Sequence, residues 1–243
     1  FVTTPMVHWP DNMVTYSDKD RILFSNDCFG QHYCTTKRFD DEVDKCELFK
    51  QAKKYYANIV WPYGAQAQKA LKAVGGLDIR LIAPSHGCIW RSYIPEILAR
   101  YQAWSTYQVE DKALVVYDSM WHSTEDMARE IVDAFCCEGV PAQLVDLKTR
   151  HISDIMLDLC DARYVCVGSP TLNSNMLPNV AAFLTYMRGL SPDNSQRIGL
   201  AFGSYGWAPL GPKQVYAELE RAKFNLPLPV ITQQWVPDQK KLD

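Results

Sequence analysis

Three short stretches carry residue types suited to holding a phosphate and a flat ring. Asp118-Ser-Met-Trp-His-Ser-Thr124 brings three hydroxyls, from Ser119, Ser123 and Thr124, together with Met120, Trp121 and His122 directly before a helical pattern. A helix N-terminus exposes unpaired N–H groups and the positive end of the peptide dipoles, so it favours an anion. This is a hydroxyl-rich phosphate loop. It has no lysine and no G-x-x-x-x-G-K spacing, which excludes a nucleoside-triphosphatase loop. Gly168-Ser-Pro-Thr-Leu-Asn173 and Gly203-Ser-Tyr-Gly-Trp207 each follow an apolar run. In the first, Pro170 shapes the turn, and Thr171, Leu172 and Asn173 offer backbone amides and a carboxamide for the polar edge of a ring. In the second, Ser204 and Gly206 accompany Tyr205 and Trp207, two aromatics able to cover a ring face. Plainer readings stand beside these: Ser123 as a helix cap, and the two later stretches as ordinary turns. A cap accounts for one hydroxyl of the first loop but not for all three and Trp121. The three loops together point to flavin mononucleotide (FMN).

The elements around these loops alternate. Ala113–Tyr117, Ala142–Leu147, Tyr164–Gly168, Ile198–Phe202 and Pro229–Gln233 read as strands. Helical patterns fall between them at 124–138 (Met127, Ile131 and Phe135 on one face), His151–Cys160, Leu177–Gly189 and Pro212–Lys223. Pro178 suits the first turn of its helix and Gly189 its C-terminal stop. Near-continuous apolar strands alternating with helices predict a doubly wound, five-stranded parallel sheet of flavodoxin-like type, covered on both faces. In such sheets ligands lie beyond the carboxyl ends of the strands, which is where all three loops fall.

Residues 1–105 are less regular. Ile22–Ser25 and Ile79–Ala83 read as strands; Asp41–Ala57, Ala65–Val74 and Tyr93–Trp104 read as helices, the first two separated by Trp61-Pro-Tyr-Gly64. A polar stretch at 105–111 marks a boundary, giving domains at 1–108 and 109–243. The chain has 243 residues, 47% hydrophobic and 22% charged, with no internal repeat. That composition predicts globular domains with a sizeable core. The net charge of -3 argues against nucleic acid, and no apolar run is long enough to span a membrane. Residues 1–105 carry 13 basic and 11 acidic side chains (+2), and residues 106–243 carry 12 and 17 (-5). Eight cysteines form no C-x-x-C pair, which excludes a zinc ribbon or thioredoxin motif. The spacing shows no disulfide framework, so reduced thiols in a cytoplasmic protein are expected. Cys28, Cys88, Cys160 and Cys166 read as small buried residues.

Tyr117-Asp-Ser-Met-Trp-His-Ser-Thr-Glu125 closely resembles the FMN phosphate loop of the flavodiiron proteins, and the loops at 168–173 and 202–207 resemble that family's ring-binding loops. Upstream, Thr4-Pro-Met-Val-His-Trp-Pro-Asp-Asn-Met13, Phe24-Ser-Asn-Asp-Cys-Phe-Gly-Gln-His32 and Ala83-Pro-Ser-His-Gly-Cys-Ile-Trp-Arg91 are similar to three blocks of its metallo-β-lactamase-like domain. The resemblance implies a partial αβ/βα domain before the flavodoxin-like one. It also implies three ligands of a non-haem diiron site, His8, Asp27 as the bridging carboxylate, and His86. Imidazole and carboxylate suit iron. His32 is expected to be structural rather than a ligand.

By the same resemblance, electrons pass through FMN to two irons, which reduce O2 to water or NO to N2O. A rubredoxin or rubredoxin-like protein is the implied donor, and a head-to-tail homodimer or homotetramer the implied assembly. The family's upstream H-x-E-x-D-H motif is missing, and Asp238–Asp243 reads as the first turn of a fifth flavodoxin helix, so a piece of a longer polypeptide is expected. Two alternatives remain: an FMN electron-transfer flavoprotein without a working metal site, and a zinc hydrolase of metallo-β-lactamase type. The three FMN loops weigh against the hydrolase.

Overall fold

Strand β1 (Val2–Thr3) is followed by β2 (Met13–Ser17), whose Val14 is its one fully buried side chain. Alternation over so few residues is faint, and the sequence pattern did not predict either strand. With β3 (Ile22–Asn26) and β4 (Leu81–Pro84) they form a sheet in the order β1-β2-β3-β4. The first two pairings are antiparallel and β3–β4 is parallel. The structure, a computed structural model, describes residues 1–191 and 194–238.

Between β3 and β4 lie α1 (Lys45–Tyr55) and α2 (Gly64–Val74). The expected helix from Asp41 is divided. Asp40–Glu42 makes a separate 3-10 turn, and α1 begins only after Asp44, whose carboxylate accepts the Glu47 N–H at 2.7 Å. The expected break at Trp61–Gly64 is also absent as a break. A π turn (Tyr56–Val60) and a 3-10 turn (Trp61–Tyr63) carry the chain straight into α2, with Pro62 where a first turn tolerates it. Helix α3 (Ile94–Ser105) completes this unit. Leu23, Leu48, Tyr56, Trp61, Ile82, Trp90, Ile97 and Tyr101 are fully buried in it.

The second unit begins at Val109. Its strands are β5 (Glu110–Tyr117), β6 (Ala142–Asp146), β7 (Ala162–Gly168), β8 (Ile198–Tyr205) and β9 (Ile231–Gln234). The order is β6-β5-β7-β8-β9, all parallel, as the pattern predicts. Helices α4 (Ser123–Cys137), α5 (Ile152–Leu159), α6 (Pro178–Leu190) and α7 (Leu210–Arg221) connect them. Gly189 does not stop α6; the helix runs through it to Leu190, and Ser191 caps the end. Strand β8 runs three residues past Phe202, so Ser204 and Tyr205 stand on a strand end rather than in a loop. Residues 239–243, most of the expected fifth-helix turn, lie outside the described residues. Among the described residues no helix is long and apolar enough to cross a membrane.

Candidate functional site

The carboxyl ends of β5, β7, β8 and β9 border a cleft of about 350 Å³, a size within the ~300–1,000 Å³ of small-molecule sites. Ser119, Met120, Trp121 and Ser123 line one side, and Pro170, Thr171, Ser204, Tyr205, Gly206 and Trp207 the others. Trp121 and Trp207 are 83% and 93% exposed, an unusual presentation of large apolar rings. Trp235 and Val236, just past β9, also line the cleft, and Trp235 meets Trp207 edge-on with ring centroids 6.1 Å apart. The sequence reading missed both, although an aromatic directly after the fifth strand was the signal.

Helix α4 starts at Ser123. His122 is the residue before it, in a left-handed turn (φ 68°), and no side chain caps this end. Ser123 therefore is not the cap that the plainer reading made it; it occupies the first helical position on the cleft wall. The open amides of α4 and two hydroxyls, Ser119 and Ser123, can bind an anion. Thr124 turns elsewhere. It is fully buried, its hydroxyl lies 3.0 Å from the Ser204 hydroxyl, and it accepts the Ser204 N–H at 3.3 Å. His122 turns out to Glu125 at 2.9 Å. The Glu125 carboxyl is held below the usual carboxylate range by hydrogen bonds from His122 and Arg129. Leu172 and Asn173 sit in a tight turn closed by paired Leu172–Asn175 backbone bonds of 2.8 and 2.9 Å, away from the cleft lining.

Behind the first loop, the Asp118 carboxylate is nearly buried. It accepts the Ser119 N–H at 2.7 Å and the Asn179 amide at 3.0 Å, and the Lys148 ammonium lies 3.4 Å away. Lys148 also donates to the Ser119 carbonyl. This buttress, too, escaped the sequence reading. Gly203 permits the close approach of β8 to the second loop: a Cβ there would lie 1.9 Å from the Ser169 carbonyl oxygen.

In the first unit, His8, Asp27 and His86 come together. The Asp27 Oδ2 is 3.5 Å from His8 Nε2, and Oδ1 is 3.4 Å from His86 Nε2. The fold explains the meeting. The β3–β4 register pairs Asn26 with Pro84, so the residues just beyond each strand are neighbours, and His8 lies on the β1–β2 connection beside them. Two donors each about 2.1 Å from one cation at a tetrahedral angle stand roughly 3.4 Å apart, so the spacings fit metal ligation. Each Asp27 oxygen faces a different imidazole, the disposition a bridging carboxylate needs. These are pairwise spacings only: among the described residues no group of three or more His, Cys, Asp or Glu is placed to hold a metal ion. His32 packs edge-on against His86 (5.4 Å) and Tyr55 (4.9 Å), and burial lowers its imidazole below the ordinary value. Cys28 is buried and its thiol is pushed up to about 12, chiefly by burial and then by Asp27. It is no ready thiolate.

Residues 115–243 match the flavodoxin family model, and residues 1–87 match that of the ODP family beta lactamases. The chain is 42% identical over 240 residues to a protein of Moorella thermoacetica named nitric oxide reductase, covering 98% of this chain and 60% of that one. It superposes on rubredoxin oxygen:oxidoreductase from Desulfovibrio gigas with a TM-score of 0.95 at 38% identity, over 99% of this chain and 60% of the other. The flavodiiron protein of Giardia intestinalis gives 0.96 at 36% identity, over 99% and 60%. A flavodoxin domain behind a beta-lactamase-like region is thus the class that fold and site define. The chain belongs to the flavodiiron protein family. It spans about three fifths of the length of the relatives it matches.

Proposed function

We propose that this chain is the flavin-bearing part of an oxidoreductase that passes electrons through FMN to a non-haem diiron site, reducing O2 to water or NO to N2O. The carrying observation is the aromatic cleft at the sheet's carboxyl edge, set directly before the uncapped end of α4. The names of the relatives, nitric oxide reductase and rubredoxin-oxygen oxidoreductase, support the reaction class and a rubredoxin-type donor. When bound, FMN supplies one- or two-electron transfer and iron supplies activation of the gas. The amides of α4 with Ser119 and Ser123 hold the phosphate. Trp121, Tyr205, Trp207 and Trp235 cover the ring and exclude water from it. His8, Asp27 and His86 serve as metal ligands, Asp27 between the other two.

Titration of the protein with FMN tests this reading: one equivalent binds, with flavin fluorescence quenched by the tryptophans. Asp27→Asn lowers iron content and leaves flavin content unchanged. That no group of three or more His, Cys, Asp or Glu among the described residues is placed to hold a metal ion favours one second reading, an FMN electron-transfer flavoprotein without a working metal site. Full FMN occupancy with no iron retained by the native protein would decide for it.

A further inference from the structure

The three candidate ligands sit on three separate loops, and a chain of side-chain amides runs between those loops. The Thr4–Asn12 segment encloses His8. Asn12, 3% exposed, donates from Nδ2 to the Thr4 hydroxyl at 2.7 Å and to the Thr4 carbonyl at 3.3 Å. The same carbonyl accepts the Val7 N–H at 3.2 Å. Asn12 Oδ1 in turn accepts from Asn26 Nδ2 at 2.5 Å. Asn26 Oδ1 accepts the Ser85 hydroxyl at 2.9 Å, and the Asn26 carbonyl accepts the Ser85 N–H at 2.8 Å. Asn26 immediately precedes Asp27, and Ser85 immediately precedes His86.

We infer that Asn12 and Asn26 form an amide clamp that positions His8, Asp27 and His86 relative to one another. Each asparagine donates toward one loop and accepts from another. A carboxamide supplies both functions from two separate atoms, the NH2 donating one way and the oxygen accepting the other, whereas a carboxylate cannot donate and a hydrocarbon does neither. Asn26 also stands at φ 54°, a left-handed conformation that asparagine tolerates better than most residues. The inner link is the stronger one. Asn12 and Thr4 are shielded, so no water replaces a lost partner, whereas Asn26 is exposed and water competes for it. The clamp rests on the proposed reading only in taking the three residues as metal ligands.

The test uses the intact protein and two variants. Asn26→Gly removes the amide but keeps the left-handed backbone accessible; Asn12→Ala removes the inner link. Amide hydrogen exchange is followed without metal, with Ile82 and Trp90, paired to each other by backbone bonds of 2.9 Å, as internal controls. Cobalt(II) alone is then titrated by its visible absorption. In Asn26→Gly, exchange at Val7 and Ser85 rises roughly fivefold while the controls hold still. Cobalt affinity falls roughly tenfold or more. Unchanged exchange at Val7 and Ser85 overturns the clamp. Faster exchange with unchanged cobalt affinity overturns its positioning role. Faster exchange in a protein whose wild type binds no cobalt upholds the clamp and overturns the metal reading instead. If Asn12→Ala does not fold, Asn26→Gly alone decides.

Discussion

Two neighbouring hydroxyls at the start of α4 do different work, and mutation separates them. Ser123 lines the cleft, whereas Thr124 is buried and tied to Ser204. Ser123→Ala therefore weakens FMN binding by about 1.5–3 kcal/mol, the worth of a hydrogen bond to a charged group, and leaves the melting temperature in place. Thr124→Val does the reverse. It strands the Ser204 hydroxyl and lowers stability by about 1–3 kcal/mol. Flavin titration and thermal unfolding of the two variants read this directly. The thiols divide along similar lines. Cys34, Cys46, Cys136 and Cys137 are exposed, whereas Cys28, Cys88, Cys160 and Cys166 are buried. A thiol reagent at pH 8 should titrate the first four quickly in the native protein and the rest only after unfolding. Burial raises Cys28 and Cys166 from about 9 to about 12. The folded state therefore holds their protons more tightly than the unfolded state. Their contribution to stability is complete below about pH 9 and is lost as the pH rises toward 12. Replacing Cys166 with alanine should flatten the fall of unfolding free energy measured across that window.

At the scale of elements, the flavodoxin-like unit was legible because its signals are local. Each strand is a short apolar run, each helix shows one apolar face, and the strand ends, turns and helix start at the carboxyl edge hold Ser119, Trp121, Ser123, Tyr205 and Trp207. What escaped had no local signature. Lys148 reaches Ser119 from just past the carboxyl end of β6, Trp235 arrives from β9, and Thr124 finds Ser204 across 80 residues. The first unit read less well because β1 and β2 are too short to show alternation, and because π and 3-10 turns bridge α1 to α2 where a proline normally marks a break. His8, Asp27 and His86 carry no common motif; only the β3–β4 register and the β1–β2 connection bring them together. The contact of β8 with the second loop makes a separate prediction. Gly203→Ala places a methyl group against the Ser169 carbonyl, and no side-chain rotation relieves it. Overpacking of this kind costs about 1–3 kcal/mol, and it should loosen flavin binding as well, since Thr171 holds to Ser204 through a 3.1 Å backbone bond. Chemical denaturation and FMN titration of this variant should move together. A loss of stability with unaltered flavin affinity would separate the glycine from the site.

For the whole molecule, the division into Phe1–Gln108 and Val109–Asp243 sets an expectation about coupling. Every residue lining the proposed flavin cleft belongs to the second unit, and the His8–Asp27–His86 cluster belongs to the first. Each unit has its own fully buried residues, Trp61, Trp90 and Tyr101 in one, Phe183, Arg197 and Phe202 in the other. Substitutions that share no contacts and no hydrogen-bond network add in free energy to within about 0.5 kcal/mol. His86→Ala should therefore leave FMN affinity of the intact chain unchanged within about twofold, and Trp207→Ala should leave metal affinity unchanged to the same degree. The double variant should show the sum of the two losses. Isothermal titration with FMN and with iron(II), across wild type, both single variants and the double, closes the cycle. An interaction energy above about 1 kcal/mol in either titration would show that the two sites are energetically linked.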